Sequence, residues 1–204
     1  SSMTDPDGLT VHTEYDASDN VIFQGGATYP VAFEYDDFGN RTAMTTWRDE
    51  SQPQGDTTRW FYDEATGLVT NKVYADGKGP SYTYTPDGKL ATRTWARGVV
   101  TTYTYDADGS LTGIAYSDET PNVRFSYDRN GNMLSAVTEG VAECLFAYDK
   151  FGQCTNEIQN GESVARFYDG YGRASGYRHY GADGALRMAC AAAYDNLGRL
   201  SSLT

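Results

Sequence analysis

Long apolar runs are missing from this 204-residue chain: no stretch approaches the roughly 18 to 20 residues that a membrane helix needs. Aliphatic residues are scarce as well, since Leu, Ile, Val and Phe together number 32. With a net charge of -12, that composition borders on the range of chains too poor in apolar surface to fold. Basic residues are outnumbered, 16 against 28 acidic, which argues against nucleic acid or an anionic membrane as partner. Cysteine is limited to Cys144, Cys154 and Cys190, an odd number without C-x-x-C spacing, so neither a disulfide framework nor a zinc knuckle is signalled. Cys144 and Cys154 flank one expected turn centred near Lys150 and Phe151. That turn would place the partner of Cys144 two or three residues beyond Cys154, and no disulfide is expected. His12 and His179 are the only histidines, and no G-x-S-x-G, H-E-x-x-H or phosphate loop occurs. The N-terminus lacks the basic and apolar regions of a signal peptide.

What the chain has in quantity is tyrosine, 17 residues, and glycine, 22. A Tyr ring buries an apolar face while its hydroxyl finds water or a hydrogen bond, and Tyr favours strands, so a Tyr-rich sheet with a thin aliphatic core is expected. The two residue types recur together as Tyr-Asp-x-x-Gly. Full copies begin at Tyr35-Asp36 (Gly39), Tyr105-Asp106 (Gly109), Tyr127-Asp128 (Gly131), Tyr148-Asp149 (Gly152), Tyr168-Asp169 (Gly172) and Tyr194-Asp195 (Gly198). Tyr62-Asp63 (Gly67) is one residue longer, and Tyr84 (Gly88) and Tyr180 (Gly184) lack the Asp. Glycines 67, 88, 109, 131, 152 and 172 are spaced by 20 to 22 residues, a repeat of about nine to ten units over 1–204.

Asp at the first turn position accepts bonds from nearby backbone, and Gly at the fourth takes the left-handed conformation that ends a type I hairpin loop. Between turns the residues alternate. From Val99 to Tyr105 one face carries Val99, Thr101, Tyr103 and Tyr105, and the other carries Val100, Thr102 and Thr104. A second strand leaves each Gly, as in Lys89 to Trp95, and returns at a signal such as Arg97-Gly98. The fold class expected is all-β, repeated antiparallel hairpins in a curved or spiralling sheet, with the repeat tyrosines forming a ladder. Longer loops are expected near 24–30 and 45–58. Leu186 to Ala193 is alanine-rich but is assigned to a strand because Tyr194-Asp195 follows on schedule.

The Tyr-Asp-x-x-Gly-(Arg or Asn) string, as in Tyr35 to Thr42 and Tyr194 to Leu200, closely resembles RHS/YD repeats, and Thr4-Asp5-Pro6-Asp7-Gly8-Leu9-Thr10 looks like a degenerate unit. The resemblance covers nearly the whole chain. It implies a hairpin strip that spirals into a hollow shell, used in bacterial toxin systems to enclose a C-terminal toxin and in teneurins as an extracellular scaffold. It further implies a secreted or cell-surface location. The partners it implies are the rest of a larger RHS polypeptide or its enclosed C-terminal domain. The repeats run to Thr204 with no core-terminating segment of the family's kind, and the resemblance assigns the family's self-cleaving aspartates to no residue of this sequence. Asp5-Pro6-Asp7-Gly8 is read as a turn.

No catalytic set and no cofactor is expected: each repeated Asp is explained by its turn, which leaves no carboxylate pair for acid-base work. Asp106-x-Asp108-Gly109 and Asp128-x-Asn130-Gly131-Asn132 have oxygen ligands at calcium-loop spacing, but no bidentate acid follows, so no metal is expected. Trp47, Trp60 and Trp95 could form a platform for glycan or protein, against the simpler reading that they are core residues of a Leu-poor sheet. The leading expectation is therefore a structural, encapsulating shell segment. The alternative is a cell-surface binding module using a Tyr/Trp face for glycan or protein. A glycan lyase or hydrolase is the least supported reading, and unpaired edge strands make edge-to-edge self-association a further expectation.

Overall fold

The computed structural model describes residues 1–48 and 54–204. The chain divides into two compact units, Ser1–Val100 and Thr101–Thr204. The first holds β1 (Ser2–Thr4), β2 (Thr10–Tyr15), β3 (Val21–Gly26), β4 (Val31–Tyr35), β5 (Arg41–Thr46), β6 (Asp56–Tyr62), β7 (Val69–Val73), β8 (Ser81–Tyr84) and β9 (Leu90–Thr94). The second holds β10 (Val100–Tyr105), which starts one residue before the boundary, β11 (Leu111–Tyr116), β12 (Val123–Tyr127), β13 (Met133–Thr138) and β14 (Ala142–Tyr148). It continues through β15 (Cys154–Gln159), β16 (Glu162–Tyr168), β17 (Ala174–Tyr180), β18 (Leu186–Tyr194) and β19 (Leu200–Leu203). Within each unit every strand pairs antiparallel with the next, so the all-β hairpin repeat stands.

Apart from the longer loop at Asp63, the YD turns are three-residue loops of one design. Asp36 N–H donates to Asn40 O (2.9 Å) and Gly39 N–H to Asp36 O (3.0 Å), with Gly39 at φ 82°. A bulge follows as the chain re-enters the ladder between Tyr35 and Arg41. The same bonds recur at Asp106, Asp128, Asp149, Asp169 and Asp195, and at Asp5, which is a turn as expected. Asn160 and Gly161, at φ 50° and 90°, make a tighter two-residue return between Gln159 and Glu162.

Each unit is a single layer. Among the described residues only Gly25, Pro30, Ala43, Pro80, Thr101 and Gly181 are buried. The accessible surface is 13768 Å², against about 9,400 Å² for a compact monomer of this mass. Register assigns two faces. One carries the aromatic residues, for instance Phe33, Trp60, Tyr82, Tyr103, Phe125 and Phe146, each two residues before a repeat Tyr. The opposite face carries small and hydroxylated pairs: Thr45–Thr57 (2.8 Å), Thr83–Thr92 (2.6 Å) and Ser126–Ser135 (2.6 Å). Ala43, only 1% exposed, lies between Glu34 and Arg59 in register, and their ion pair (3.7 Å) reaches across it.

Three local expectations shift. Gly25 and Gly26 belong to β3, so the loop expected at 24–30 is confined to 27–30. Of the loop expected at 45–58, Thr45 and Thr46 end β5 and β6 begins at Asp56, while residues 49–53 lie outside the described residues. The bulge between Ala147 and Tyr148 pairs Tyr148 with Cys154, so Cys144 faces Gln159, five residues past Cys154 rather than two or three. All three cysteines are free thiols. Leu186 to Ala193 lies within strand β18.

Candidate functional site

The repeat residues Tyr, Asp and Gly act together as a clamp. In Asp36 the carboxylate oxygen Oδ1 accepts from Phe38 N (3.0 Å) and Asn40 N (2.8 Å), and Oδ2 accepts from the Asn40 amide (3.0 Å). Asn132 closes the same ring on Asp128 (2.9 Å), while Arg173 and Arg199 close it on Asp169 and Asp195 through Nε (2.7 Å each). Where the residue after the Gly is Asn or Arg it therefore has a role that spacing alone did not disclose. These bonds hold the carboxyls below the usual 3.8: Asn side-chain bonds first for Asp36 and Asp128, the Arg173 side chain first for Asp169, and the Arg199 backbone first for Asp195. Thr66 does this for Asp63, and at Tyr84 the hydroxyl of Thr85 replaces the carboxylate, accepting from Lys89 N (3.0 Å). Asp106 Oδ1 accepts from Asp108 N (3.0 Å) and Ser110 N (2.8 Å), the turn geometry rather than a cation loop.

The tyrosines join one hairpin to the one before. Between hairpins the ladder is short: β11 and β12 share only Gly113–Arg124 and Ile114–Val123, and β7 and β8 only Asn71–Ser81. Where it stops, the Tyr hydroxyl takes over, donating to the first residue of the strand before its own. Tyr35 reaches Val21 O (3.0 Å), Tyr62 Arg41 O (2.8 Å) and Tyr84 Val69 O (2.7 Å). Tyr127 reaches Leu111 O (3.0 Å), Tyr168 Cys154 O (2.9 Å) and Tyr194 Ala174 O (2.7 Å). Burial raises the Tyr62 and Tyr84 hydroxyl pKa, which keeps them donors.

One unit escapes the motif: Tyr15-Asp16 makes the same turn with Asp19, at φ 63°, in the glycine's place and Asn20 closing on Asp16 (3.0 Å). Its sequence signal was Tyr-Asp followed by Asn at the closing position, since Asp tolerates the left-handed region better than most residues.

A family model described as the teneurin YD-shell matches residues 99–203, just over half of the chain. The chain belongs to the teneurin YD-shell family. This places it among RHS/YD-repeat proteins, as the motif resemblance implied. No curated protein matches it by sequence. Among solved structures it is similar to the crystal structure of TcdB2-TccC3-TEV, with a TM-score of 0.74 at 14% identity, over 99% of this chain and 12% of that one. It is also similar to a Photorhabdus luminescens Tc holotoxin pore carrying a TccC3 mutation, with a TM-score of 0.67 at 14% identity, over 96% of this chain and 14% of that one. The chain thus spans about an eighth of the length of these structures, and at such identity the likeness is one of fold.

In this YD-shell chain the tryptophans are dispersed. Trp60 sits on the aromatic face of β6, Trp95 opens the turn after β9, and Trp47 follows β5 with its N–H on Pro30 O (3.1 Å). Trp47 lies about five residues along the strand from the level of Trp60, roughly 16 Å. The apolar groups that do stand free are turn tips: Phe38, Phe151, Tyr171 and Leu197 are each more than three-quarters exposed. Between the turns of Phe151 and Tyr171 lies a groove of about 630 Å³ lined by Asp149, Gln153, Tyr168 and Asp169. Gln153 bridges it by donating to Gly172 O (2.7 Å). His179 lies 3.3 Å from Glu162, and among the described residues no three His, Cys, Asp or Glu side chains cluster as a metal set.

Proposed function

We propose that the chain is a length of wall in a larger secreted shell protein, and that the wall encloses a separate domain of the same polypeptide. The observation that carries this is the single-layer sheet with both faces largely uncovered: a wall needs two surfaces, and a self-contained domain would bury one of them. Membership of a shell family and the fold shared with Tc toxin structures support it. The role is structural rather than catalytic, because the recurring carboxylates are committed as ionised acceptors inside their own turns. The test is protease protection in the intact parent protein. An enclosed domain resists cleavage until the wall is opened by substitutions in the Tyr clamp; equal cleavage before and after opening overturns enclosure.

The exposed tips favour a second reading, a binding module for a glycan or surface protein. On that reading, Phe151→Ser with Tyr171→Ser abolishes retention on a glycan or receptor array, while unchanged retention removes it.

A further inference from the structure

On the aromatic face of the first unit, three cations lie over five rings. Arg41 lies 4.6 Å from the Phe33 ring, Lys72 lies 5.2 Å from Trp60 and 4.9 Å from Tyr74, and Arg93 lies 3.5 Å from Trp95 and 6.0 Å from Tyr82. Phe33, Trp60 and Tyr82 occupy the same repeat position, two before Tyr35, Tyr62 and Tyr84. Lys72 and Arg93 face Trp60 and Tyr82 directly on β7 and β9, alternate strands about 9.5 Å apart, whereas Arg41 faces Tyr35 on β5, three residues along the strand from the position equivalent to the other two.

Among the described residues none of the three forms an ion pair, although the chain is rich in acids. The unit's neighbouring acids are placed elsewhere: Asp36 and Asp63 serve the turns, Glu34 lies on the opposite face with Arg59, and Asp56 pairs with Arg48 (3.9 Å). Arg93 adds a second, independent mark, because its Nε is buried and has no hydrogen-bond partner. A buried donor left unmade is costly, and a guanidinium held flat against an indole presents its remaining N–H groups edge-on to whatever docks.

We propose that this face is the docking surface for an acidic, extended polypeptide segment whose carboxylates pair with Lys72 and Arg93 while its backbone lies over the rings. Charge complementarity selects the partner: Asp56, the acid on the same face of β6 as Trp60, is engaged by Arg48, and the cations facing Trp60 and Tyr82 admit carboxylates. The spacing selects the conformation, since a polyproline II strand repeats every three residues, about 9.3 Å. The inference stands on these contacts alone and holds whether or not the wall encloses anything.

The experiment is a titration of the 204-residue chain with a short proline-rich peptide carrying Glu at every third position, read by the emission of Trp60 and Trp95. A saturable change is expected, weakening as salt rises. Arg93→Gln and Lys72→Gln each weaken binding by roughly tenfold. Arg93→Lys, which keeps the charge and loses the planar stack, falls between. Arg129→Gln, at an exposed turn tip of the second unit, leaves the affinity unchanged. Circular dichroism confirms the fold of each variant, and should Arg93→Gln not fold, Arg93→Lys and Lys72→Gln decide. Equal binding by these variants, or by a peptide with Gln in place of Glu, overturns the proposal. Tighter binding of a sulfated polysaccharide, or self-association lost in the same variants, overturns it in favour of a glycan or a second copy.

Discussion

The two units share the hairpin turn and the Tyr clamp and differ in what lies opposite the ring two residues before the repeat Tyr. In the first unit Trp60 and Tyr82 face Lys72 and Arg93, and Arg41 covers Phe33, all without counter-ions among the described residues. In the second, Tyr103 faces Ile114, Phe125 faces Ala136, and Phe146 faces Glu157, which pairs with Arg166 at 2.6 Å. The second unit therefore neutralises its own aromatic face and the first does not. One backbone design can thus carry two surfaces of different charge, because the turns and tyrosines hold the sheet and leave the cross-strand positions free to vary.

Acid is expected to give the largest effect, because it acts together on the turns of Asp16, Asp36, Asp63, Asp87, Asp128, Asp169 and Asp195. Native pKa values below 3.8 mean that the aspartates stabilise the fold above that value and lose the contribution as pH falls through their native values, to about 2 for Asp87, whose Lys89 side-chain bond is the main cause. Amide exchange at each turn Gly measures the loss. High salt should speed exchange at Gly172 and Gly198, closed by Arg, more than at Gly39, closed by Asn.

Single substitutions follow in order of size. Gly79→Ala drives a methyl into the Lys72 carbonyl and is expected to cost about 3 kcal/mol in thermal or denaturant unfolding, whereas Gly170→Ala in the second unit meets nothing within 4 Å and stays within about 0.5 kcal/mol. Gly131→Ala meets no atom either, but its φ of 82° costs about 1–2 kcal/mol; Asp19→Gly in the first unit should move the opposite way by about 1 kcal/mol. Tyr84→Phe and Tyr127→Phe each orphan a carbonyl and should cost about 1 kcal/mol alike; unequal losses would show that the clamp differs between units. The smallest pair tests the charge difference directly. Glu157→Gln frees Arg166 for at most about 1 kcal/mol and should give the second unit a site for the acidic peptide. Thr58→Glu, diagonal to Lys72, should stabilise by a few tenths of a kcal/mol and weaken the same peptide in the first unit.

Strand identity, turn positions and the family were legible from the sequence because their causes are local: Asp36, Gly39 and Asn40 satisfy one another within five residues, and alternation such as Val99 to Tyr105 declares a strand by itself. The turn at Tyr15-Asp16 stayed hidden because the search required Gly and a tolerant Asp19 holds that place. The partner of Cys144 was misplaced because each bulge shifts register, which no single strand reveals. The destination of each Tyr hydroxyl depends on a carbonyl 14 to 21 residues away, and the placing of Arg93 over Tyr82 depends on pairing across a hairpin. By itself the sequence determined a repeat of hairpins, since turn chemistry acts over a few bonds. Only the tertiary structure decided which cation covers which ring and which charges go unpaired, since those contacts form between strands brought together by the fold.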